Sequence, residues 1–266
     1  MENHTSVFKH KIELMCTKKA TLMEESFWRY AARSAYAGAF LTMTTAVGAI
    51  AGDKLNHIDP YLGKFAFAFL FAWGLIYILF LNSELATSNM LYLTAGVYLK
   101  NIRFKKAARI LGVCTLFNLV GALTLGWLFN QTTAFHGFTA HSMLVEIVEG
   151  KLARASTTIF WEGVLANLFV NVAIMSFILI KESGAKIAVV LSAIFMFVFF
   201  GNDHVIANFA SFSLAMFNDF KDIDGLTFIN TIRQWTFAYI GNYIGGGLLV
   251  GLIFAWLNKS KTSYID

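Results

Sequence analysis

The sequence predicts an all-α integral membrane protein with six transmembrane helices in two inverted three-helix repeats. Three observations predict this fold: the composition, the charge-free runs and a pair of matched polar interruptions. The 266 residues are 57% hydrophobic and 14% charged, and mean hydropathy is +0.61. Soluble domains are about 25% charged. This composition excludes a disordered chain, a coiled coil and a disulfide-stapled secreted domain.

The first element is an amphipathic segment at residues 1–26. Phe8, Ile12 and Met15 recur at the spacing of one helix face, with lysines beside them. This pattern predicts a helix lying on the membrane surface, with a gating plug as the alternative. The segment is rich in charge and lacks an apolar core, so we expect no signal peptide.

Six spans follow, because a transmembrane helix needs about 20 mainly apolar residues. Glu84 interrupts the second span, and Asp203 with His204 interrupts the fifth, so both are predicted to be broken helices. The spans form one channel domain, 27–258, with repeats 27–130 and 157–258 and a tail at 259–266. The predicted spans are 30–51, 64–99, 106–129, 157–180, 186–217 and 233–257.

The basic residues predict the orientation. With the N-terminus inside, 15 of the 21 lysines and arginines fall on the inner side. The positive-inside rule therefore places both termini in the cytoplasm, in a bacterial-type cell membrane. The net charge of +5 is explained by topology and by contact with anionic lipid, and we expect no nucleic-acid partner.

The two interruptions match each other. Glu84 is followed five positions later by Asn89, and Asp203 is followed five positions later by Asn208. Broken helices at corresponding positions of inverted repeats indicate a transport site. A charged side chain at the bilayer centre costs at least about 2.5 kcal/mol, so we expect each of these side chains to have a structural or functional role. The acids act as braces of the broken backbone or as pore groups, whereas His204 is expected in the pore.

Four sequence blocks carry a family resemblance. The second interruption is similar to the Gly-x-Glu-His-Ser-x-Ala-Asn motif of the formate/nitrite transporter family, and the first resembles that family's acidic-Leu-Phe-Thr loop. Two further blocks match in order and spacing. The four blocks are Ser83-Glu84-Leu85-Ala86-Thr87-Ser88-Asn89, Gly163-Val164-Leu165-Ala166-Asn167, Gly201-Asn202-Asp203-His204-Val205-Ile206-Ala207-Asn208 and Ile240-Gly241-Asn242-Tyr243-Ile244-Gly245-Gly246-Gly247-Leu248-Leu249.

The resemblance implies an aquaporin-like homopentamer in which each protomer has its own pore and needs no cofactor. It implies substrates that are small weak-acid anions: formate, nitrite, hydrosulfide, sometimes acetate or lactate. It assigns His204 as the central pore histidine, Thr87 as its partner, and Lys151 as the basic residue near the outer vestibule. The remaining implied positions are the pore-side Asn167 and Asn208 and the two hydrophobic constrictions formed by Phe71, Leu75, Leu85 and Phe197.

Three departures from the family pattern leave the substrate open. Ala86 stands where the family has Phe, Asp203 stands for Glu, and Val205 stands for Ser. The first change widens the pore or alters its gate. The second shortens the acid by one methylene and shifts how it braces the loop.

The expected mechanism follows from the cost of moving an anion through an apolar constriction. The anion either keeps polar partners, which Thr87 and His204 would supply, or takes up a proton and passes as the neutral acid. Two other functions stay open: a pore for neutral solutes, and a membrane-embedded enzyme or its cofactor-binding subunit. The second would need paired intramembrane histidines or several metal ligands, and we expect neither.

Overall fold

The computed structural model describes residues 6–59, 61–218 and 223–259, and the regular structure in these ranges is helical. The predicted tail at 259–266 lies almost entirely outside the described residues. The helices are α1 (Val7–Glu25), α2 (Phe27–Asn56), α3 (Leu62–Phe80), α4 (Ala86–Tyr98), α5 (Phe104–Asn130), α6 (Met143–Leu152), α7 (Ser156–Leu179), α8 (Ser183–Phe200), α9 (Val205–Phe217) and α10 (Phe228–Asn242), followed by a π-helical segment (Tyr243–Leu252) and α11 (Ile253–Leu257).

The prediction of six spans is confirmed. Within the described ranges, six helical stretches are long and apolar enough to cross a membrane, the last running continuously over Phe228–Leu257. The two predicted breaks are also present, between α3 and α4 and between α8 and α9. The half-helices α4 and α9 have 13 residues each, a length of about 20 Å. Neither can cross a hydrocarbon core of about 30 Å alone.

The two repeats pack in the same way, through glycines at their helix crossings. In the first repeat, a Cβ on Gly121 of α5 would collide with the backbone oxygen of Ala35 in α2. In the second, a Cβ on Gly241 of α10 would collide with the backbone oxygen of Phe160 in α7. Small residues allow helices in membranes to approach closely, and these crossings set the spacing around the breaks.

Helix α1 packs its apolar face against the bundle, and its expected place at the membrane surface stays a prediction. Phe8 and Ile12 of its apolar face are buried against the bundle, and the Cys16 thiol donates to the backbone oxygen of Tyr92 at 3.4 Å. The spacing of apolar residues gives the face of the helix but not what covers it. Here other helices of the same chain cover it, and Lys19 is buried with it.

The π-helical segment is a feature that the sequence did not predict. Its Gly246 has no room for a side chain, because a Cβ there would collide with the amide nitrogens of Asn167 and Asn171. The locally widened turn therefore brings the backbone of the sixth span against two asparagines of the fourth. Such π-segments are frequent at functional sites.

Candidate functional site

The two half-helices begin at a shared polar pair. Thr87 lies in the first turn of α4, and His204 is the N-cap residue of α9. Thr87 Oγ1 and His204 Nε2 are 2.7 Å apart, and both side chains are buried. The N-terminal ends of α4 and α9 therefore converge on this pair. The partial positive charge at each helix start favours an anion there.

Hydrogen bonding indicates which histidine nitrogen carries the proton. The backbone N–H of Ala207 donates to His204 Nδ1 at 3.2 Å, so Nδ1 acts as an acceptor. In the neutral ring the hydrogen then lies on Nε2, which donates to Thr87 Oγ1. This arrangement leaves the Thr87 hydroxyl hydrogen for another acceptor.

An apolar cavity surrounds one side of His204. Its volume is about 10 Å³, the space of about one water molecule. The rings of Phe71 and Phe197 meet edge to face across 6.0 Å, and the Phe197 ring centroid lies 5.8 Å from that of His204. The four residues expected to form the constrictions thus meet around this one cavity. Its lining residues are Leu41, Phe71, Leu75, Leu85, Val170, Ile194, Phe197 and His204.

Two larger cavities flank this narrow region. The first, of about 370 Å³, includes Lys64, Glu146, Lys151 and Arg154 together with Phe71 and Phe197, and we call it the α6-side cavity. The second, of about 400 Å³, includes Leu85, Glu84 and the lysines of α1, and we call it the α1-side cavity. Each shares residues with the narrow cavity. The three together outline a path with an apolar waist at His204.

Asp203 is the centre of a buried network on the α6 side. Its carboxylate accepts from Lys151 Nζ at 2.7 Å, Arg154 Nη1 at 3.0 Å, Asn208 Nδ2 at 3.0 Å and Gln234 Nε2 at 2.8 Å. Arg154 also donates to the backbone oxygen of Gly201 at 2.9 Å. These contacts tie α6, α9 and α10 to the second break, so Asp203 is surrounded by side-chain donors.

Glu84 has an equivalent network at the first break. Its carboxylate accepts from Lys19 Nζ at 2.5 Å and from Asn89 Nδ2 at 3.1 Å. Lys19 is 5% exposed, and its Nζ lies 5.1 Å from the ring centroid of Tyr92. The Lys19–Glu84 and Lys151–Asp203 pairs occupy matching places in the two repeats. A short helix preceding each repeat supplies the lysine.

Two asparagines that the sequence reasoning missed hold the broken backbone. Asn118 Oδ1 accepts from the Ala86 N–H at 2.9 Å, and its Nδ2 donates to the backbone oxygens of Glu84 at 2.8 Å and Ser34 at 2.7 Å. At this break the Ala86 N–H, which begins α4, is therefore paired with Asn118 and not with the Glu84 carboxylate. The asparagine amide takes that role because it offers both a donor and an acceptor.

Asn242 repeats this arrangement in the second half. Its Oδ1 accepts from the Val205 N–H at 2.8 Å, and its Nδ2 donates to the backbone oxygens of Asp203 and Gly163, both at 2.8 Å. A signal was available in the sequence: Asn118 and Asn242 are isolated amides inside long apolar runs of corresponding spans. A fully buried amide in such a run requires partners.

The two predicted pore-side asparagines support the break rather than line the narrow cavity. Asn167 Nδ2 donates to the backbone oxygens of Thr87 at 3.3 Å and Asn242 at 2.7 Å. Asn208 Nδ2 donates to Asp203 and to Gln234, and the residue also lines the α6-side cavity. Direct contact of either amide with an anion stays a prediction.

Two ionisable groups outside the spans have shifted pKa values, one because of burial and one because of hydrogen bonding. Burial raises the pKa of the Cys16 thiol in α1 to about 11, against a smaller opposing effect of Lys19. Backbone N–H groups of Gly184 and Ala185 at the start of α8 lower the pKa of Glu182. Among the described residues, no three His, Cys, Asp or Glu side chains group as a metal site would require.

This fold and site define a membrane channel or transporter. Two half-helices from related repeats meet at a buried polar pair, and apolar side chains narrow the path beside it. Broken helices that place their N-termini at the membrane midplane are the feature by which such proteins bind ions and small solutes.

The chain belongs to the formate/nitrite transporter family. The sequence profile described as "Formate/nitrite transporter" matches residues 8–256. The family comprises membrane transporters and channels, so the protein is a transport protein and not an enzyme.

Relatives and solved structures agree with this assignment. The chain is 25% identical over 251 residues to "Uncharacterized transporter YwcJ" of Bacillus subtilis (strain 168), covering 94% of this chain and 97% of that one. It is similar to the structure "FNT family ion channel", with a TM-score of 0.86, 24% identity and coverage of 93% and 97%. The structure "Pentameric formate channel with formate bound" aligns with a TM-score of 0.76, 24% identity and coverage of 88% and 98%.

Proposed function

We propose that this protein conducts formate or nitrite across a cell membrane, through a pore that passes beside the Thr87–His204 pair. One observation carries the proposal: a hydrogen-bonded polar pair at the starts of two half-helices, beside an apolar waist of about 10 Å³. The proposed solutes are small monovalent weak-acid anions, of which formate and nitrite have three heavy atoms each. Hydrosulfide, acetate and lactate are the alternatives within the same class.

The polar pair offers hydrogen-bond donors to an anion that loses water at the waist. The Thr87 hydroxyl hydrogen has no described acceptor, and His204 Nε2–H can turn its hydrogen bond from Thr87 to the anion. A second proton, on Nδ1, would face the Ala207 N–H and remove the acceptor of that hydrogen bond. The neutral imidazole is therefore the donor, and a proton that crosses the waist travels with the substrate as the weak acid.

The flanking cavities supply the electrostatic attraction. Lys151 and Arg154 line the α6-side cavity, and both half-helix starts direct positive partial charge at the waist. Fixed positive charge raises the local concentration of anions and lowers that of cations. The α1 side faces the cytoplasm in this proposal, because the lysine and arginine count favours that orientation.

We also propose a homopentamer with one pore in each protomer. The similar solved structure titled as a pentameric formate channel supports this assembly. Chemical cross-linking of purified protein in mild detergent tests it, and a ladder that ends at five bands is expected.

Uptake into proteoliposomes tests the transport proposal. Formate and nitrite uptake should be saturable and should rise as the pH falls from 8 to 5, because the neutral acid becomes more abundant. His204→Phe removes the donor and should reduce uptake at least tenfold. His204→Gln keeps one amide donor and one acceptor, so it should retain uptake and the pH profile.

His57→Gln is the matched control, because His57 is exposed at the end of α2 and, among the described residues, its ring bonds only to the backbone oxygen of Asp53. Unchanged formate flux in the His204→Phe variant would refute the role of His204. Rapid water or glycerol permeation without anion flux would instead establish a pore for neutral solutes.

A further inference from the structure

The α1-side cavity is lined by an excess of positive charge. Its described lining contains five lysines and one glutamate: Lys11, Lys18, Lys19, Lys181, Lys186 and Glu84. The lysines come from α1, from the connection between α7 and α8, and from α8. Three separate parts of the chain thus direct cations into a volume of about 400 Å³. The α6-side cavity has fewer cations, and Lys151 and Arg154 there are already paired with Asp203.

Most of these lysines have no carboxylate partner. Glu84 is paired with Lys19. Lys18 Nζ lies 3.0 Å from Asn82 Oδ1, and Lys186 Nζ lies 4.6 Å from the ring centroid of Phe177. Among the described residues, neither Lys11 nor Lys181 forms an ion pair.

Glu182 lies near these lysines, but backbone N–H groups already occupy its carboxylate, and the lysines lie close to other cations. The carboxylate of Glu182 accepts from the N–H groups that begin α8, at 2.8 Å from Gly184. Burial lowers the pKa of Lys18, and the charges of Lys19 and Arg33 add to that effect against the opposing attraction of Glu84. Crowded cations of this kind are stabilised by an added anion.

A buried hydroxyl gives a second, independent indication of a ligand. Ser88 is 5% exposed and lines the α1-side cavity, and its Oγ has no hydrogen-bond partner in the described structure. Buried polar side chains are nearly always paired. The Oγ atom is covered by neighbouring atoms, so an anion held by the lysines accepts its hydrogen only when the side chain turns toward the cavity.

We propose that the α1-side cavity binds a phosphate group and that the bound group closes the pore from this side. The group comes from inorganic phosphate or a phosphate monoester in solution, or from the headgroup of an anionic lipid. Lysine is a frequent phosphate ligand, and a doubly charged tetrahedral anion can use several lysines at once. The cavity of about 400 Å³ has room for phosphate and adjoins the waist at Leu85, so a phosphate group held there lies in the proposed path. The closure rests on the proposed transport function; the binding does not.

Binding is measured first, on the purified full-length protein in a neutral detergent. Thermal unfolding is followed while sodium phosphate is titrated at constant ionic strength, with sodium chloride as the reference. We expect saturable stabilisation by phosphate. A Lys11→Ala/Lys181→Ala double variant should weaken the apparent affinity about 25-fold, or about fivefold for each lysine.

A Lys54→Ala/Lys105→Ala double variant is the matched control, since both lysines are exposed and lie outside the cavity. It should bind phosphate as the wild type does, and Ser88→Ala should bind more weakly. Equal weakening in the two double variants, or stabilisation no larger than that by chloride, would overturn the site.

Flux measurements then identify the source of the phosphate. If the source is the solution, phosphate on the α1 side should inhibit formate flux in vesicles of pure phosphatidylcholine. If it is a lipid, flux should fall when one fifth of the lipid is phosphatidylglycerol, and the Lys11→Ala/Lys181→Ala variant should escape that fall. Phosphate binding with unchanged flux in both vesicles refutes closure. If the protein binds phosphate but transports no anion in either kind of vesicle, the transport proposal is refuted and the binding site stands.

Discussion

Replacing Asn242 with alanine should loosen the second break and slow transport. The side chain makes three hydrogen bonds, to the Val205 N–H and to the backbone oxygens of Asp203 and Gly163, and it is fully buried. Alanine would leave the buried Val205 N–H and Asp203 carbonyl without their described partner, and the Gly163 carbonyl with only its hydrogen bond inside α7. The start of α9, including His204, would then be held only by its remaining contacts.

The magnitude follows from those three bonds. Polar contacts between membrane helices average about 0.6 kcal/mol, whereas a buried backbone group without a partner costs about 1–3 kcal/mol. We expect a loss of about 3 kcal/mol, which corresponds to a fall in Tm of about 6–12 °C on the scale of soluble proteins of 150–250 residues. Asn118→Ala should show a loss of similar size, because Asn118 makes the equivalent three bonds.

Thermal unfolding in detergent and formate uptake in proteoliposomes provide the assay. Asn242→Asp separates the acceptor of the amide from its donors, because it keeps an oxygen for the Val205 N–H and loses the donated hydrogen bonds. It also adds a negative charge beside the Asp203 backbone. It should therefore lower the stability at least as much as alanine does. Asn258→Ala is the control, since Asn258 bonds only to the Phe254 oxygen of its own helix. If Asn242→Ala unfolds within 2 °C of the wild type and transports normally, the amide does not hold the break.

Three further outcomes are expected. Asp203→Asn should lower the stability by about 3–5 kcal/mol in the same unfolding assay, because it leaves Lys151 facing a buried site without its anion; an unchanged Tm would show that Gln234 and Asn208 satisfy the site alone. Gly241→Ala should disrupt the α7–α10 crossing and reduce the amount of folded protein on size-exclusion chromatography, whereas alanine at Gly112, where a Cβ meets nothing within 4 Å, should not. Cys16 should resist maleimide at pH 7 and react only as the pH approaches 11, since burial raises the pKa of its thiol and keeps it protonated below that value. Labelling is measured by mass spectrometry, and rapid labelling at neutral pH would contradict a buried α1.

The two breaks share one construction. In each repeat a lysine from a preceding short helix pairs with the acid, an asparagine five residues later donates to the acid, and an amide from the following span holds the backbone. In the second repeat Arg154 and Gln234 contact the acid as well. Asp203 therefore has more side-chain donors than Glu84.

The role of His204 in the pore stays a prediction, whereas the six spans and the two breaks could be predicted from local sequence alone. These follow from local properties: a run of about 20 apolar residues is enough to cross a bilayer, and a charged residue inside such a run needs a reason to be there. The five-residue spacing from acid to asparagine also lies within one stretch of chain. Its hydrogen bond is present at both breaks.

The contacts between distant parts of the chain became visible only when the helices were seen packed together. Lys19 and Glu84 are 65 residues apart, and Asn242 holds a backbone 39 residues before it. The apolar face of α1 could equally have met lipid, and the lysines of α1 and α8 give no sign in sequence of sharing a cavity. Such contacts depend on how glycine crossings and a π-helical turn set the spacing of the helices, and periodicity along one segment carries no information about that spacing.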